Sequence, residues 1–172
     1  MHDLENAALV SDLKAHIHKH IKLLEEVLRE IESAQSDDIP KLGKTSRAAV
    51  LMAGLLENYY TCVETIFIRI SQVFENNLSA DRWHRDLLER MTLDKDIRPR
   101  VISDPVHRDL LELMRFRHFK RYYFGSAYDW TRLEELLLRV TRCHSLLLDD
   151  IAAFLCFIDD LVADNDCAAT PR

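Results

Sequence analysis

The chain has 172 residues, 48% of them hydrophobic and 30% charged, which predicts a single domain over residues 1–172 with one packed core. Three glycines and four prolines are too few for the frequent tight turns of an all-β fold, and a net charge of −6 argues against broad, charge-driven nucleic-acid binding. The four cysteines form no CxxC pair, and neither a signal-peptide pattern nor a bilayer-spanning apolar run occurs, so we expect a cytoplasmic protein with reduced thiols.

Helical periodicity then dominates the chain, with four long patterns and one short one, and predicts an all-α, antiparallel up-and-down bundle. The first helix is expected over roughly residues 4–34. A turn is expected at 35–40, because Pro40 cannot continue a helix without losing a hydrogen bond. The second helix, roughly 45–78, is apolar on more than one face, which indicates a central helix or one at a subunit contact.

A short helix, an irregular crossover and a third long helix follow. Residues 81–91 are predicted to form the short helix, with Trp83 anchoring it on the bundle. The crossover covers 92–103. Ser103, followed by a proline in the first turn, is predicted to begin the third long helix with a capping side chain, and this helix is expected to run to about Tyr123.

The last helix has the clearest pattern in the chain. Asp129 is well placed to cap its start. Its apolar face keeps an alternating spacing of four and three, which implies packing against its neighbours at about 20°. Residues 163–172 are expected to form a mobile tail. The residues of this face are Leu133, Leu137, Val140, His144, Leu147, Ile151, Phe154, Ile158 and Leu161.

Two groups of titratable residues are interpreted as surface features. His16 and His20 lie one helical turn apart, but no third ligand accompanies them, so a solvated or half-buried helix face is favoured over a metal site. Adjacent carboxylates point about 100° apart around a helix, so the aspartate pairs at 149–150 and 159–160 are expected on a solvated outer face. The sequence therefore predicts neither a metal site nor a cofactor.

The segment 115–124 differs, because it carries four fixed positive charges, one imidazole and five aromatic rings. Arg117 and Arg121 lie one turn apart, and His118 and Tyr122 share the adjoining face. Guanidinium groups offer paired donors to phosphate oxygens and an imidazole can move protons near neutral pH, so the pattern is typical of a phosphate site. The alternative is that the arginines pair with nearby acids such as Glu112, Glu134 and Glu135.

At these residues the sequence resembles the HEPN superfamily, and within it the HepT-like toxins that are encoded beside minimal nucleotidyltransferases. Their signature is an arginine, four residues, a histidine, any residue and a tyrosine. Arg117 stands at the arginine position, whereas Tyr122 stands where the family has histidine and Phe124 where it has tyrosine. Other segments support the resemblance in the same order along the chain: 59–66 resembles the family's second helix, and 83–88, 98–99 and 116–130 resemble one HepT-like branch.

The resemblance implies a HEPN-like bundle that forms a homodimer, with the signature helices of two copies facing each other; the many apolar faces of the second helix favour the same assembly. It also implies a metal-independent endoribonuclease that acts on RNA such as tRNA or mRNA and is controlled by a minimal nucleotidyltransferase antitoxin. Arginines would hold the scissile phosphate, and a histidine would transfer protons. Around Arg117 and Arg121, the expected substrate-binding residues are Lys120, Arg115 and Tyr123.

The group that transfers protons remains open at this point. A phenol such as that of Tyr122 is a weak base at neutral pH, since its ordinary pKa is about 10. His118 lies within the signature, and His84 could approach from the short helix. Tyr122 and Tyr123 could instead stack on bases. The competing hypothesis is a catalytically silent HEPN module that binds a nucleotide, RNA or a nucleotidyltransferase partner.

Overall fold

The protein is an all-α bundle in a computed structural model that describes residues 2–75, 83–123, 125 and 127–168, with side chains described within 8–75, 86–123 and 127–163. The described residues contain no strand, only an isolated bridge between Lys95 and Arg98, which confirms the predicted fold class. None of the described helices has the length and apolar character that a membrane crossing needs. The helices in order are α1 (His2–Ser33), α2 (Ile39–Leu42), α3 (Ser46–Phe74), α4 (Trp83–Arg90), α5 (Asp104–Tyr122) and α6 (Trp130–Ala168).

Helix α3 lies at the centre of the bundle, where it packs against α1, α4, α5 and α6. Side-chain pairs fix the direction of α5 along α3: Lys120 contacts Glu57, whereas Arg117, one turn earlier, contacts Glu64 further along α3. These two helices are therefore antiparallel. The prediction that α3 is central is confirmed, because residues on several of its faces are buried: Ala49, Met52, Ala53, Leu56, Tyr59, Tyr60, Val63, Ile66, Phe67 and Ile70.

The chain turns later than the sequence predicts. Instead of a turn at 35–40, a π-helical segment (Ala34–Asp38) joins α1 directly to α2. Pro40 falls in the first turn of α2, where its missing N–H leaves no helical hydrogen bond unmade. The reversal occurs at Gly43, whose φ of 71° lies in the left-handed region that glycine adopts without a steric cost. Thr45 then caps α3 by accepting a hydrogen bond from the Ala48 N–H at 3.2 Å.

Helix α5 begins at the predicted position, but its first hydroxyl has a different partner. The side chain of Ser103 forms no capping hydrogen bond. Its hydroxyl and its N–H both donate to Asp150 Oδ2, at 2.8 and 2.7 Å. The expectation that both aspartate pairs of the last helix are solvated is thus wrong for Asp150, because this carboxylate satisfies the orphan donors at the start of α5. Asp159 pairs with Lys14 of α1.

Helix α6 confirms its predicted face and its cap. Asp129 Oδ1 accepts a hydrogen bond from the Thr131 N–H at 3.0 Å. Residues of the predicted apolar face from Leu133 to Ile158 are buried, apart from half-buried His144. The Tyr59 hydroxyl lies 3.1 Å from His144 Nδ1, and burial lowers the pKa of His144, which favours the neutral imidazole. The helix continues past 163 to Ala168, while the last residues of the predicted tail lie outside the described part of the chain.

A buried charge network ties the crossover to the end of α3. The guanidinium of Arg98 is almost fully buried and contacts the Glu75 carboxylate. It also donates to the Arg90 and Pro99 carbonyls, both at 3.0 Å. Lys95 reaches the same carboxylate at 2.7 Å. Burial alone would raise the pKa of Glu75, but the hydrogen bonds from Lys95 and Arg98 outweigh it and hold the pKa below its ordinary value.

We predict that Glu75→Gln destabilises the protein by about 3–5 kcal/mol, because it leaves the buried Arg98 charge without a counter-ion. Chemical denaturation at neutral pH measures this free energy. Glu134→Gln is the matched control, since the exposed pair between Glu134 and Lys44 contributes at most about 1 kcal/mol.

The same network predicts a pH dependence. A carboxylate whose folded-state pKa is depressed contributes stability above its ordinary pKa of about 4.5 and loses that contribution as the pH falls below it. The Glu75→Gln variant should therefore lose less stability than the parent on acidification through this range. Equal losses in the parent and the variant would contradict this assignment.

Candidate functional site

Arg117, the signature arginine, lies on the face of α5 that packs against α3. It is 8% exposed, although most arginines lie at the surface. Its Nη1 contacts the Glu64 Oε2 at 2.7 Å, and its guanidinium carbon lies 5.7 Å from the centre of the Tyr60 ring. The charge of Arg117 is therefore held in one place by a carboxylate and an aromatic face.

The surroundings of this ion pair are almost dry. Glu64 is 3% exposed, and Tyr60 is buried beside it. Burial, reinforced by the Glu64 carboxylate, raises the pKa of Tyr60 well above its ordinary range, so its phenol stays protonated. The Nε of Arg117 is buried without a hydrogen-bond partner among the described atoms. The pair is thus a fixed internal feature that orients the last two turns of α5.

The next residues of the signature segment face outward. His118 and Arg121 are exposed, and Tyr122 is 71% exposed. The rings of His118 and Tyr122 lie 5.0 Å apart at 57°, one helical turn from each other. Within the described part of the chain, the Arg121 guanidinium forms no ion pair. We call His118, Arg121 and Tyr122 the outer face; it combines a cation, an imidazole and a phenol, and no acid among the described residues neutralises its cation.

The other cations of the segment have partners. Lys120 contacts Glu57, and Arg115 Nη1 lies 2.5 Å from Glu112 Oε1. Glu112 also accepts a hydrogen bond from Arg132 at 2.6 Å. The alternative interpretation, that arginines of this helix pair with neighbouring acids, thus describes Arg115 correctly.

Tyr123 belongs to an aromatic cluster on the opposite side of α5 from the Glu64 pair. Its ring stacks on Phe119 with centres 4.9 Å apart and meets Tyr128 edge to face at 5.4 Å. Phe116 completes the cluster, with its ring centre 6.5 Å from that of Phe119 and 6.2 Å from that of Tyr128. The hydroxyl of Tyr123 donates to the Ala127 carbonyl at 3.2 Å. Tyr123 is therefore separated from Tyr122 despite their adjacency in sequence.

Three residues singled out in the sequence fall wholly or partly outside what the structure describes. Phe124 is not among the described residues, and the side chains of Trp83 and His84 are also outside them. The predicted site residues that the structure describes divide into four groups: buried Arg117, the exposed outer face, Lys120 paired with Glu57, and Arg115 with Tyr123 at the aromatic cluster.

Sequence reasoning missed the acids that neutralise the arginines. Glu64 is the main one, and a signal for it was available: it lies four residues after Tyr60 and three before Phe67, on the apolar surface of α3. A charge on such a face needs a buried partner. Asp109 is a second case, since it is 3% exposed and binds Arg139 and Arg142 at 2.9 and 3.0 Å.

The histidine pair of α1 makes only local contacts. His20 Nδ1 lies 2.8 Å from the His16 carbonyl oxygen, and His16 Nε2 lies 3.5 Å from Asp12. Over the described residues, no three side chains of the metal-binding types converge. These histidines are accounted for as surface groups of one helix.

Comparison with known proteins supports the resemblance seen in the sequence. No curated protein and no solved structure matches the chain. A family model described as HepT-like protein matches residues 48–158, from the first turn of α3 to the seam of α6. This stretch contains Glu64, Arg117 and the outer face. Because the match covers more than half of the 172 residues, the chain belongs to the HepT-like family of the HEPN superfamily.

Proposed function

We propose that this protein is a HepT-like toxin, a metal-independent endoribonuclease that works as a homodimer and is restrained by a minimal nucleotidyltransferase antitoxin. Family membership supports the class of protein. The observation that carries the proposal is the outer face, where exposed His118 and Arg121, which has no ion pair among the described residues, lie close to the rigidly held Arg117. RNA would be the substrate, since a phosphodiester matches these donors.

The chemistry assigned to this face needs two proton transfers. His118 takes the proton from the ribose 2′-hydroxyl as that oxygen bonds to phosphorus. The bond from phosphorus to the 5′-oxygen breaks, and the second His118 of the dimer protonates the leaving oxygen. The products are a 2′,3′-cyclic phosphate and a 5′-hydroxyl end. Arg121 stabilises the charge that grows on the phosphate oxygens in the transition state.

We assign Arg117 a positioning role. Its charge is already matched by Glu64, and a salt bridge in this dry environment is costly to break. The pair anchors α5 against α3 one residue before His118. Arg117 therefore fixes the direction in which His118 and Arg121 leave the helix, while Arg121 makes the contact with phosphate.

We predict that His118→Ala lowers the rate of RNA cleavage by about 100-fold or more, because a general acid or base contributes at least this much. The measurement is the release of new 5′-hydroxyl ends from total RNA or tRNA. Adding a chelator should leave the parent's rate unchanged.

Tyr122→Phe should retain the parent's cleavage rate, since it keeps the ring beside His118 and removes only the hydroxyl. A large loss in Tyr122→Phe would assign the chemistry to its phenol. His118→Ala cleaving like the parent would remove His118 from the mechanism. Leu138→Ala, at an exposed position of α6, is the surface control.

The positioning role predicts a stability change that a surface cation would not cause. Glu64→Gln should destabilise the protein by about 3–5 kcal/mol in chemical denaturation, because it leaves the buried guanidinium uncompensated. Replacing both partners together, as in Glu64→Leu with Arg117→Met, should recover much of this stability. Cleavage by the double variant at the parent's rate would contradict the positioning role.

The dimer in this proposal has less apolar surface available than the sequence suggests. The bundle buries Ile66 and Ile70, and the exposed remainder at the start of α3 is Val50 and Leu51, 43% and 42% exposed. We still expect a dimer at micromolar concentration in sedimentation experiments, since the reaction requires two copies of His118. Cleavage by a protein that sediments only as a monomer would contradict the two-histidine mechanism.

A catalytically silent module is the second candidate, and one observation favours it. Tyr122 occupies the position of the signature histidine and is largely exposed, with no acid or base partner besides His118 among the described residues. A silent module would bind RNA through the same outer face without cleaving it. RNA binding that is lost in Arg121→Ala, with no 5′-hydroxyl ends formed by the parent, would select this function.

A further inference from the structure

A groove of about 490 Å³ lies on the side of α5 that carries the aromatic cluster. The four rings of Phe116, Phe119, Tyr123 and Tyr128 line it, with Arg115 and Arg132 beside them. This volume is in the range of pockets that hold small organic molecules, and an aromatic lining with a few polar groups is typical of them. The proposed cleavage reaction does not use this groove.

The rings are held in place before any ligand arrives. Phe116 is 6% exposed and forms the floor. Tyr123 and Tyr128 support each other edge to face, and the Tyr123 hydroxyl is tied to the Ala127 carbonyl. Phe119, stacked on Tyr123, is 51% exposed. The exposed face of the Phe119 ring, which is supported by Tyr123, offers a surface on which another flat ring can stack.

The polar groups at the groove favour a ligand with hydrogen-bond donors and a negative backbone. Two guanidinium groups and one carboxylate, Asp129, lie among its lining residues. Arg132 is paired with Glu112 and Glu135, so Arg115 and Asp129 are the charged groups that a ligand would meet. Arg115 uses one N–H for Glu112, and its side chain is 58% exposed. Asp129 caps α6 through Oδ1 alone. An apolar peptide side chain would desolvate these charges without compensating them, whereas a nucleotide offers ring N–H groups and phosphate.

We propose that the groove binds one unpaired nucleobase of a single-stranded RNA, adjacent to the phosphate at the outer face. The inference rests on RNA being the ligand in the proposed function. The base stacks on the exposed Phe119 ring, and Arg115 contacts the neighbouring phosphate. Arg115, Phe119 and Tyr123 are spaced four residues apart along one side of α5, while His118 lies about 100° around the helix. The base and the reacting phosphate would therefore lie against neighbouring sides of one helix, whose diameter is about 10–12 Å.

The test compares two non-cleavable oligomers of equal length and charge by fluorescence anisotropy. One is a single-stranded RNA with 2′-O-methyl riboses, and the other is its abasic counterpart. Stacking on an aromatic side chain predicts that the parent binds the base-containing oligomer about 5- to 100-fold more tightly. Phe119→Leu should remove most of this preference and leave the affinity for the abasic oligomer unchanged. Phe119→Tyr, which keeps the ring, should restore it.

Leu138→Ala controls for the loss of an exposed apolar side chain elsewhere, and circular dichroism confirms that each variant is folded. If Phe119→Leu binds both oligomers like the parent, or if the parent does not distinguish them or binds neither, the inference is overturned. Release of a co-purifying protein by Phe119→Leu, without an effect on RNA affinity, would assign the groove to a protein partner and overturn it too. A base preference that depends on Phe119, in a protein that does not cleave RNA, upholds the groove while the endoribonuclease proposal fails.

Discussion

The arrangement of the signature helix depends on one buried ion pair. A guanidinium placed inside an apolar bundle is tolerated only with a matched carboxylate, and Glu64 supplies it to Arg117 at 2.7 Å. Because both partners are on long helices, their contact sets the register of α5 against α3 as well as its rotation. That rotation turns His118, Arg121 and Tyr122 outward, and it turns Phe116 towards the core beside Tyr128. The ion pair therefore determines the position of the outer face on one side of the helix and of the aromatic groove on the other.

Similar charge pairs hold other junctions of the bundle. Asp109 binds Arg139 and Arg142 of α6. Asp150 accepts a hydrogen bond from the Ser103 N–H at the start of α5, and Glu75 binds Lys95 and Arg98 of the crossover. Each carboxylate contributes a directional contact where two elements meet, which adds to the register that the packing of the apolar side chains specifies. A shift of one helix by a turn would leave a buried guanidinium without its carboxylate, which would destabilise the bundle.

The sequence predicts the helices well and their polar contacts poorly. The four-three spacing of α6 identifies its buried face from Leu133 to Ile158, because burial of an apolar stripe depends only on local periodicity. The turn predicted at 35–40 from Pro40 is wrong, because a proline is compatible with the first turn of a new helix after a π-helical segment. The capping hydrogen bond predicted for Ser103 is wrong for another reason: its hydroxyl binds Asp150, 47 residues away in sequence, and no local rule predicts such a contact. The same reason hides the burial of Arg117, which depends on the position of α3.

The replacements in the signature are consistent with a change in how the site divides its tasks. A histidine at position 122 would stand on the exposed last turn of α5, where Tyr122 is now 71% exposed. His118, one turn earlier, lies closer to the anchored Arg117 and so has less freedom to move. A proton-transfer group benefits from such restraint, since a fixed orientation toward the reacting oxygen lowers the entropic part of the barrier. The centre of the tyrosine ring lies 5.0 Å from that of the His118 imidazole, so the two rings are neighbours on the outer face. Under the proposed function, the arginine of the signature acts through its neighbour, and the proposed phosphate chemistry would depend on His118 and Arg121.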